Sequence, residues 1–204
     1  DLARLVGIYG IFGIGAGIVI ITGGIELTVG SVFALEGVIL AIMLTQSHVN
    51  PFLAVVISIG LTMLIGWING WLITRVPLQP FIVTLCGLLF YRGLARFVAH
   101  DNTEGFGAGN SFDGLMNLAT GKLFGIPAPF IVMIVVAVIM WIILHRSLYG
   151  RYLYAVGRNE EAARYSGINS QRIITSSYVV AGVLTGISGS LLAFYTNSIS
   201  PSMH

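Results

Sequence analysis

Residues 51–73 read PFLAVVISIGLTMLIGWINGWLI and contain no charged side chain. A helix of this length extends over roughly 35 Å, which is enough to cross the hydrocarbon core of a bilayer. Further apolar stretches of similar character follow or precede it: Leu5–Ile21, Val29–Leu44, Phe81–Ala99, Pro127–Leu144 and Ile173–Tyr195. The sequence therefore predicts an all-α, polytopic membrane helix bundle with about six transmembrane helices.

The overall composition supports a membrane protein and excludes other classes. Of the 204 residues, 56% are hydrophobic and 9% are charged, and the mean hydropathy is +0.91, whereas soluble domains carry about 25% charged residues. One membrane domain covering residues 1–204 is the simplest interpretation. The net charge of +2 comes from scattered basic residues that form no stripe or tail, so no nucleic-acid partner is expected.

The charged residues indicate how the chain lies across the membrane. Five arginines fall in the stretch from Arg146 to Arg172, whereas Asp101–Ile126 carries three acidic residues and a single lysine. Because cytoplasmic loops are enriched in Lys and Arg, the arginine-rich stretch is predicted to be cytoplasmic. Alternation of the spans then places Arg75 inside, and it places the turn at Ser47 and residues 198–204 outside.

Small residues recur four positions apart within the apolar spans. Such spacing lets two helix backbones approach closely in lipid, where van der Waals contact drives helix association. We therefore expect helix contacts at three glycine pairs: Gly13 and Gly17, Gly66 and Gly70, and Gly182 and Gly186.

The first and second spans are separated by a glycine-rich break, residues 23–31, which read GGIELTVGS. Thr28 or Ser31 can cap the helix that follows, and Glu26 would lie favourably near its positive end. Two interpretations remain open. The break is either a purely structural interruption, or it lies at membrane depth and lines a cavity, because such breaks are tolerated only where protein or water surrounds them.

Polar side chains inside the spans are candidates for a substrate path. Glu36 lies in the middle of the second span, where a charge costs at least about 2.5 kcal/mol on insertion scales. It is predicted either to line the path or to hydrogen-bond another helix. Arg92 and Arg96, near the predicted outer end of the fourth span, either reach outward or pair in an interior cavity. The predicted path residues are Glu26, Thr28, Glu36, Asn69, Thr84 and Arg92.

The arginine-rich stretch contains a compact helix signal at residues 157–168, which read GRNEEAARYSGI. Asn159 is a good N-cap, two glutamates complement the helix dipole, two alanines favour helix, and Gly167 is a natural stop. The sequence thus predicts a two-turn cytoplasmic helix over Glu160–Ser166. Its small residues suit insertion into a groove of another protein, and the alternative is a helix resting on the membrane surface. The residues assigned to this coupling role are Asn159, Glu160, Glu161, Ala162, Ala163, Ser166 and Gly167.

Sequence features of enzymes and metal sites are absent. The chain has no Gly-x-x-x-x-Gly-Lys-Ser/Thr phosphate loop, and its only lysine is Lys122 in the predicted outer loop. The four histidines lack metal-ligand spacing, Cys86 is the only cysteine, and no loop groups a nucleophile with a base. The chain is therefore expected to be no enzyme, to bind no metal and to hold no cofactor.

Three ordered stretches resemble the permease family of ribose-type ABC importers, which move monosaccharides. Residues 23–31 resemble the family pattern GGIDLSVGS, with Glu26 for aspartate and Thr28 for serine. The second match is FIVTL at residues 81–85 followed by RGLA at 92–95, and the third runs from AVG at 155–157 to GI at 167–168. Within it, residues 161–163 and Gly167 resemble the EAA loop by which ABC permeases dock on their ATPase.

The resemblance implies a translocation subunit in a bacterial inner membrane, surrounded by membrane lipid. It implies three protein partners: a cytoplasmic ABC ATPase that uses ATP and Mg, a periplasmic sugar-binding protein, and a second permease chain in a homodimer. Family members are longer at both ends, so these 204 residues are expected to be a fragment. Glu36 departs from the family, in which that position is small or apolar.

Two other functions remain possible on the sequence. An ion-driven secondary transporter or channel would use Glu26 and Glu36 as its ion-carrying groups. A structural membrane anchor without a path is favoured only if all the polar residues pair internally. Copurification of an ATPase would separate the importer from both.

Overall fold

The computed structural model describes residues 2–45, 47, 49–76, 78–100, 104–105, 113–123, 125–196 and 198–199. This part of the chain is almost entirely helical, with four two-residue strands. The helices are α1 (Leu2–Ile21), α2 (Val29–Thr45), α3 (Pro51–Arg75), α4 (Pro80–Ala99), α5 (Asp113–Thr120), α6 (Ala128–Arg146), α7 (Leu148–Arg158), α8 (Glu160–Tyr165) and α9 (Ser170–Thr196). The strands are β1 (Glu104–Gly105), β2 (Lys122–Leu123), β3 (Ile126–Pro127) and β4 (Ser198–Ile199).

The predicted membrane spans correspond to six of these helices, so the predicted helical membrane bundle is confirmed. Among the described residues, α1, α3, α4, α6 and α9 are long and apolar enough to cross a membrane, by length and composition. The sixth apolar helix, α2, has only 17 residues, or about 25 Å at 1.5 Å per residue. It is also buried along most of its length, so it lies inside the bundle.

The most extensive helix contact among the described residues joins α3 and α9. A methyl group added at Gly66 would collide with the carbonyl oxygen of Tyr178, and one added at Gly182 would collide with the carbonyl oxygen of Thr62. Glycine at these positions lets the two backbones touch, as predicted for membrane helices. Gly70 and Gly186 lie in the same contact.

The remaining predicted pair, Gly13 and Gly17, makes no helix contact within the described part of the chain. At Gly13 and at Gly17 an added methyl group would meet no atom of the described chain within 4 Å. Four-residue spacing marks one face of a helix but does not say whether another helix covers that face. The glycines of α1 that do pack closely are Gly7 and Gly10, against α6, and Gly15, against α9.

The helices run up and down between two ends of the bundle. We call the end at which Arg75, Arg146, Arg158 and Arg172 lie the arginine-rich end. There the Gln171 side chain donates to the carbonyl of Thr74 over 3.1 Å, which ties the start of α9 to the end of α3. At the opposite end β1 pairs antiparallel with β4. The arginines and the β1–β4 pair thus lie at opposite ends of the bundle, in agreement with the alternation of spans predicted from the arginines.

The stretch between α6 and α9 is more structured than predicted. The sequence indicated only the two-turn helix over Glu160–Ser166 in this stretch, but residues 148–158 also form a helix, α7, whose buried face includes Leu153 and Val156. Ser147 caps this helix by accepting a hydrogen bond from the Gly150 amide over 3.1 Å. The prediction failed because α7 carries two glycines and only a narrow apolar stripe. The long predicted outer loop likewise contains α5.

Candidate functional site

The break between α1 and α2 is organised by the side chain of Glu26. The Thr28 amide donates to Glu26 Oε1 over 2.7 Å, and the Thr28 hydroxyl donates to the same oxygen. Ser31 donates to the carbonyl of Thr28 over 2.8 Å. The predicted capping by Thr28 or Ser31 is therefore wrong, because Glu26 accepts the orphan amide at the start of α2.

Two further helices extend this hydrogen-bonded group. Asn69 of α3 donates through Nδ2 to Thr28 Oγ1 over 3.4 Å, and Tyr91 of α4 donates to Asn69 Oδ1 over 3.1 Å. We call Glu26, Thr28, Asn69 and Tyr91 the break cluster. Thr28 and Asn69 are each 2% exposed, so these polar groups satisfy one another inside the bundle.

The break cluster lies within the helix bundle, away from its arginine-rich end. Asn69 precedes the end of α3 by six residues, and Tyr178, which donates to the carbonyl of Ile25 over 3.2 Å, follows the start of α9 by eight. At 1.5 Å per residue these atoms lie roughly 9–12 Å inside the arginine-rich end. The chain thus turns back into the bundle before α2 begins, which explains why α2 is short.

A narrow cavity adjoins the break cluster between α2, α3 and α9. It has room for about one water molecule, so a sugar does not fit in this arrangement. Its polar wall comes from Glu26, Thr28 and Asn69, and its far wall comes from Gly66, Gly182 and their neighbours. The close α3–α9 contact therefore sets the width of the cavity.

Glu36 lies apart from the break cluster. Its side chain is fully buried and accepts a hydrogen bond from Ser190 of α9 over 2.8 Å through Oε1. Oε2 contacts Gly189 and has no hydrogen-bond partner among the described residues. Ser190 follows Tyr178 by 12 residues on α9, which is about 18 Å along the helix. The bond to another helix, one of the two predicted alternatives, is present.

Glu36 is expected to tolerate glutamine but not leucine. A Glu36→Gln side chain keeps an acceptor for Ser190, whereas Glu36→Leu removes the acceptor and places a branched carbon against Gly189. We expect leucine to lower stability by about 1–3 kcal/mol and glutamine to change it little, measured by thermal unfolding in detergent. Ser190→Ala is the control, since it removes the donor of the same hydrogen bond on α9. Loss of uptake in well-folded Glu36→Gln alone would favour ion coupling.

Thr84 and Arg92 are not brought into the break cluster. Thr84 is buried on α4, but its hydroxyl donates to the carbonyl of Pro80 one turn earlier, over 2.9 Å. Arg92 is half-buried, and its Nε atom is buried without a hydrogen bond in the described part of the chain. Their role in a path remains a prediction. Among the described residues, no three His, Cys, Asp or Glu side chains group as metal ligands.

The predicted cytoplasmic helix is present as α8. The Asn159 side chain accepts a hydrogen bond from the Ala162 amide over 2.9 Å, which is the predicted N-cap. Gly167 adopts a φ of +83°, and the Ile168 amide closes the helix end by donating to the Ala163 carbonyl over 3.0 Å. A position with this left-handed backbone conformation favours glycine. Cap, helix and stop therefore match the sequence prediction.

The two alanines of α8 face different ways. Ala163 is 4% exposed and packs against its own chain, so the expectation that both alanines face a partner is wrong. Ala162 and Glu161 are exposed, and Tyr165 is 86% exposed. The Glu160 carboxylate accepts a hydrogen bond from the Ser170 hydroxyl over 2.9 Å, which connects α8 to the start of α9. We call Glu161, Ala162 and Tyr165 the α8 surface.

Three tyrosines in these sites escaped sequence analysis. Tyr91 donates to Asn69 of the break cluster, Tyr178 donates to Ile25 in the break, and Tyr165 is 86% exposed on the α8 surface. Tyr91 lies seven residues after Thr84, on the same helical face as that predicted residue, so a search of that face for hydroxyl groups would have found it. Tyr178 has no such sequence signal.

Comparison with known proteins finds several similar import permeases. The chain is 38% identical over 202 residues to the ribose import permease protein RbsC of Bacillus subtilis (strain 168), covering 99% of this chain and 62% of that protein. It is 36% identical over 178 residues to the fructose import permease protein FruF of Bifidobacterium longum (strain NCC 2705), covering 86% of this chain and 49% of that protein.

A third relative is the D-allose transport system permease protein AlsC of Escherichia coli (strain K12), 36% identical over 181 residues, covering 88% of this chain and 54% of that protein. The chain thus spans less than two thirds of the length of each of these curated relatives. No solved structure matches it. The family model described as "Branched-chain amino acid transport system / permease component" matches residues 1–204. The chain therefore belongs to this permease family, in agreement with the resemblance read from its motifs.

Proposed function

We propose that this chain is the membrane-spanning part of a monosaccharide ABC importer, with no ATP-hydrolysing site of its own. The observation that carries the proposal is the α8 surface, a capped helix with an exposed tyrosine at the arginine-rich end. An ion-driven transporter needs no such docking element. The names of the similar proteins, import permeases for ribose, fructose and allose, support a sugar as the substrate.

The arginines support the orientation and location of the complex. By the positive-inside rule the arginine-rich end faces the cytoplasm of a bacterial inner membrane, which presents α8 to an ABC ATPase that binds ATP and Mg. A periplasmic sugar-binding protein would deliver substrate at the opposite end. A second permease chain completes the proposed complex, and lipid surrounds it.

The break cluster is suited to a neutral, polyhydroxylated substrate. Sugar hydroxyls both donate and accept hydrogen bonds, and the cluster offers a carboxylate, an amide and two hydroxyls in a buried position. In the present arrangement these groups bond one another. When α3 and α9 separate, a sugar can replace those bonds without leaving a buried polar group unsatisfied.

A continuous set of contacts leads from α8 to the break. Glu160 of α8 is bonded to Ser170 at the start of α9. Two turns further along α9, Tyr178 holds the carbonyl of Ile25 in the break while its own carbonyl packs on Gly66 of α3. Movement of α8 by an ATPase would therefore act on the wall of the cavity through one rigid helix.

The proposal is tested by the energy source for uptake. The full-length protein is purified with the subunits that accompany it and reconstituted in proteoliposomes with radiolabelled ribose, fructose or allose outside. We expect uptake to require ATP and the copurified ATPase and to be unchanged by a protonophore. Uptake that proceeds without ATP and collapses with the protonophore would instead support the secondary transporter, with Glu26 and Glu36 as its ion-carrying groups.

A further inference from the structure

A groove between α3 and α9 opens at the arginine-rich end, outside the break cluster. Its volume is about 360 Å³. Its lining includes Trp67, Trp71, Arg75, Gln171, Arg172 and Val179. The two tryptophans stack with ring centroids 6.5 Å apart and an interplanar angle of 27°, and they are 48% and 44% exposed.

The polar and apolar parts of the groove are separated by depth. On α3, Trp71 and Trp67 precede Arg75 by four and eight residues, so they lie roughly 6 and 12 Å deeper in the membrane. On α9, Val179 lies seven residues beyond Arg172, or about 10 Å deeper. Two guanidinium groups therefore stand at the rim, above aromatic and aliphatic surface that continues toward the bilayer centre.

We propose that this groove binds one anionic phospholipid of the arginine-rich leaflet. A lipid phosphate matches the planar donors of Arg75 and Arg172, tryptophan favours the level of the headgroups, and an acyl chain can follow the deeper apolar wall. A water-soluble anion would satisfy the rim alone and leave the tryptophans exposed. A zwitterionic lipid would satisfy the lower wall but would lack the net charge that two arginines select.

The test measures tryptophan quenching by brominated lipids. The full-length protein is reconstituted in phosphatidylcholine vesicles with increasing brominated phosphatidylglycerol, in a Trp141→Phe background because Trp141 on α6 is also exposed. The signal lost in a Trp67→Phe/Trp71→Phe variant defines the contribution of the groove. We expect quenching to saturate at a low fraction of phosphatidylglycerol. In the variant Arg75→Gln/Arg172→Gln, the same quenching should require a fraction of phosphatidylglycerol about tenfold higher.

The matched control is Arg146→Gln/Arg151→Gln, which removes two exposed arginines outside the groove and should change the midpoint less than about twofold. Equal quenching by brominated phosphatidylcholine and phosphatidylglycerol would overturn the proposal. An equal shift of the quenching midpoint in the two double variants would also overturn it. Absence of quenching would overturn it too, because it would mean that protein covers the groove. If the double variant Arg75→Gln/Arg172→Gln fails to fold, the single variants Arg75→Gln and Arg172→Gln are measured instead. Each is expected to shift the quenching midpoint by about threefold.

Discussion

An Ala162→Trp variant of the full-length protein is expected to insert and fold normally but to lose the ATPase and with it at least about 90% of ATP-driven uptake. The change adds a large ring at the centre of the α8 surface, where Glu161 and Tyr165 flank the alanine. Nothing within the chain is displaced, because the Ala162 side chain is exposed. The measurement is the amount of ATPase that copurifies with the variant, together with sugar uptake.

Two other variants separate docking from folding. Ala3→Trp makes the same change at an exposed alanine of α1, at the opposite end of the bundle, and should leave both measurements unchanged. Ala163→Trp should instead reduce the amount of folded protein, since Ala163 is buried. If α8 only rests on lipid, tryptophan should be tolerated or should anchor it better. A fully active Ala162→Trp complex would therefore disprove the assignment of α8 as the coupling helix.

Gly66→Ala is expected to lower the free energy of unfolding by about 2 kcal/mol, although alanine is the better helix former. The added methyl group would collide with the Tyr178 carbonyl oxygen and would lie 3.4 Å from the Cα atom of Gly182. Because the colliding oxygen of Tyr178 belongs to the backbone, α3 and α9 must move apart. The midpoint of thermal unfolding in detergent should fall by roughly 5 °C.

Gly13→Ala is the matched control for this prediction. It makes the same substitution within an apolar helix, but the added methyl group meets no described atom within 4 Å. We expect its unfolding midpoint to be equal to or slightly above that of the unaltered protein, because alanine has the higher helix propensity. Equal destabilisation at both positions would show that the α3–α9 contact does not depend on glycine.

Much of the fold could be predicted because bilayer thickness and hydrogen-bond satisfaction act on each segment separately. The run 51–73 became α3 (Pro51–Arg75), since a helix is the way for an isolated apolar segment to satisfy its own backbone in lipid. Asn159 and Gly167 defined the ends of α8 for a similar local reason. α7 and α5 were missed because their helices depend on packing against neighbours rather than on a long apolar run.

The candidate sites were predicted only in part, because the partners of polar groups come from distant helices. The sequence predicted that Glu36 either lines the path or hydrogen-bonds another helix, and it placed Asn69 on the path, but it could not name Ser190 and Tyr91 as their partners. Nor could it show that the Thr84 hydroxyl donates its hydrogen bond to a backbone carbonyl of its own helix. Sequence spacing describes one helix at a time, whereas a hydrogen bond between helices depends on how they rotate and cross.

The sequence by itself determined the membrane class, the apolar helices, the capped α8 and the family to which the motifs point. Only the tertiary structure decided which glycines form the α3–α9 contact, which alanine of α8 is free to meet a partner, and which polar residues share a cluster. The physical reason is the range of the forces involved. Helix formation and insertion depend on neighbouring residues and the solvent, whereas burial and pairing depend on surfaces that meet only when the whole bundle has assembled.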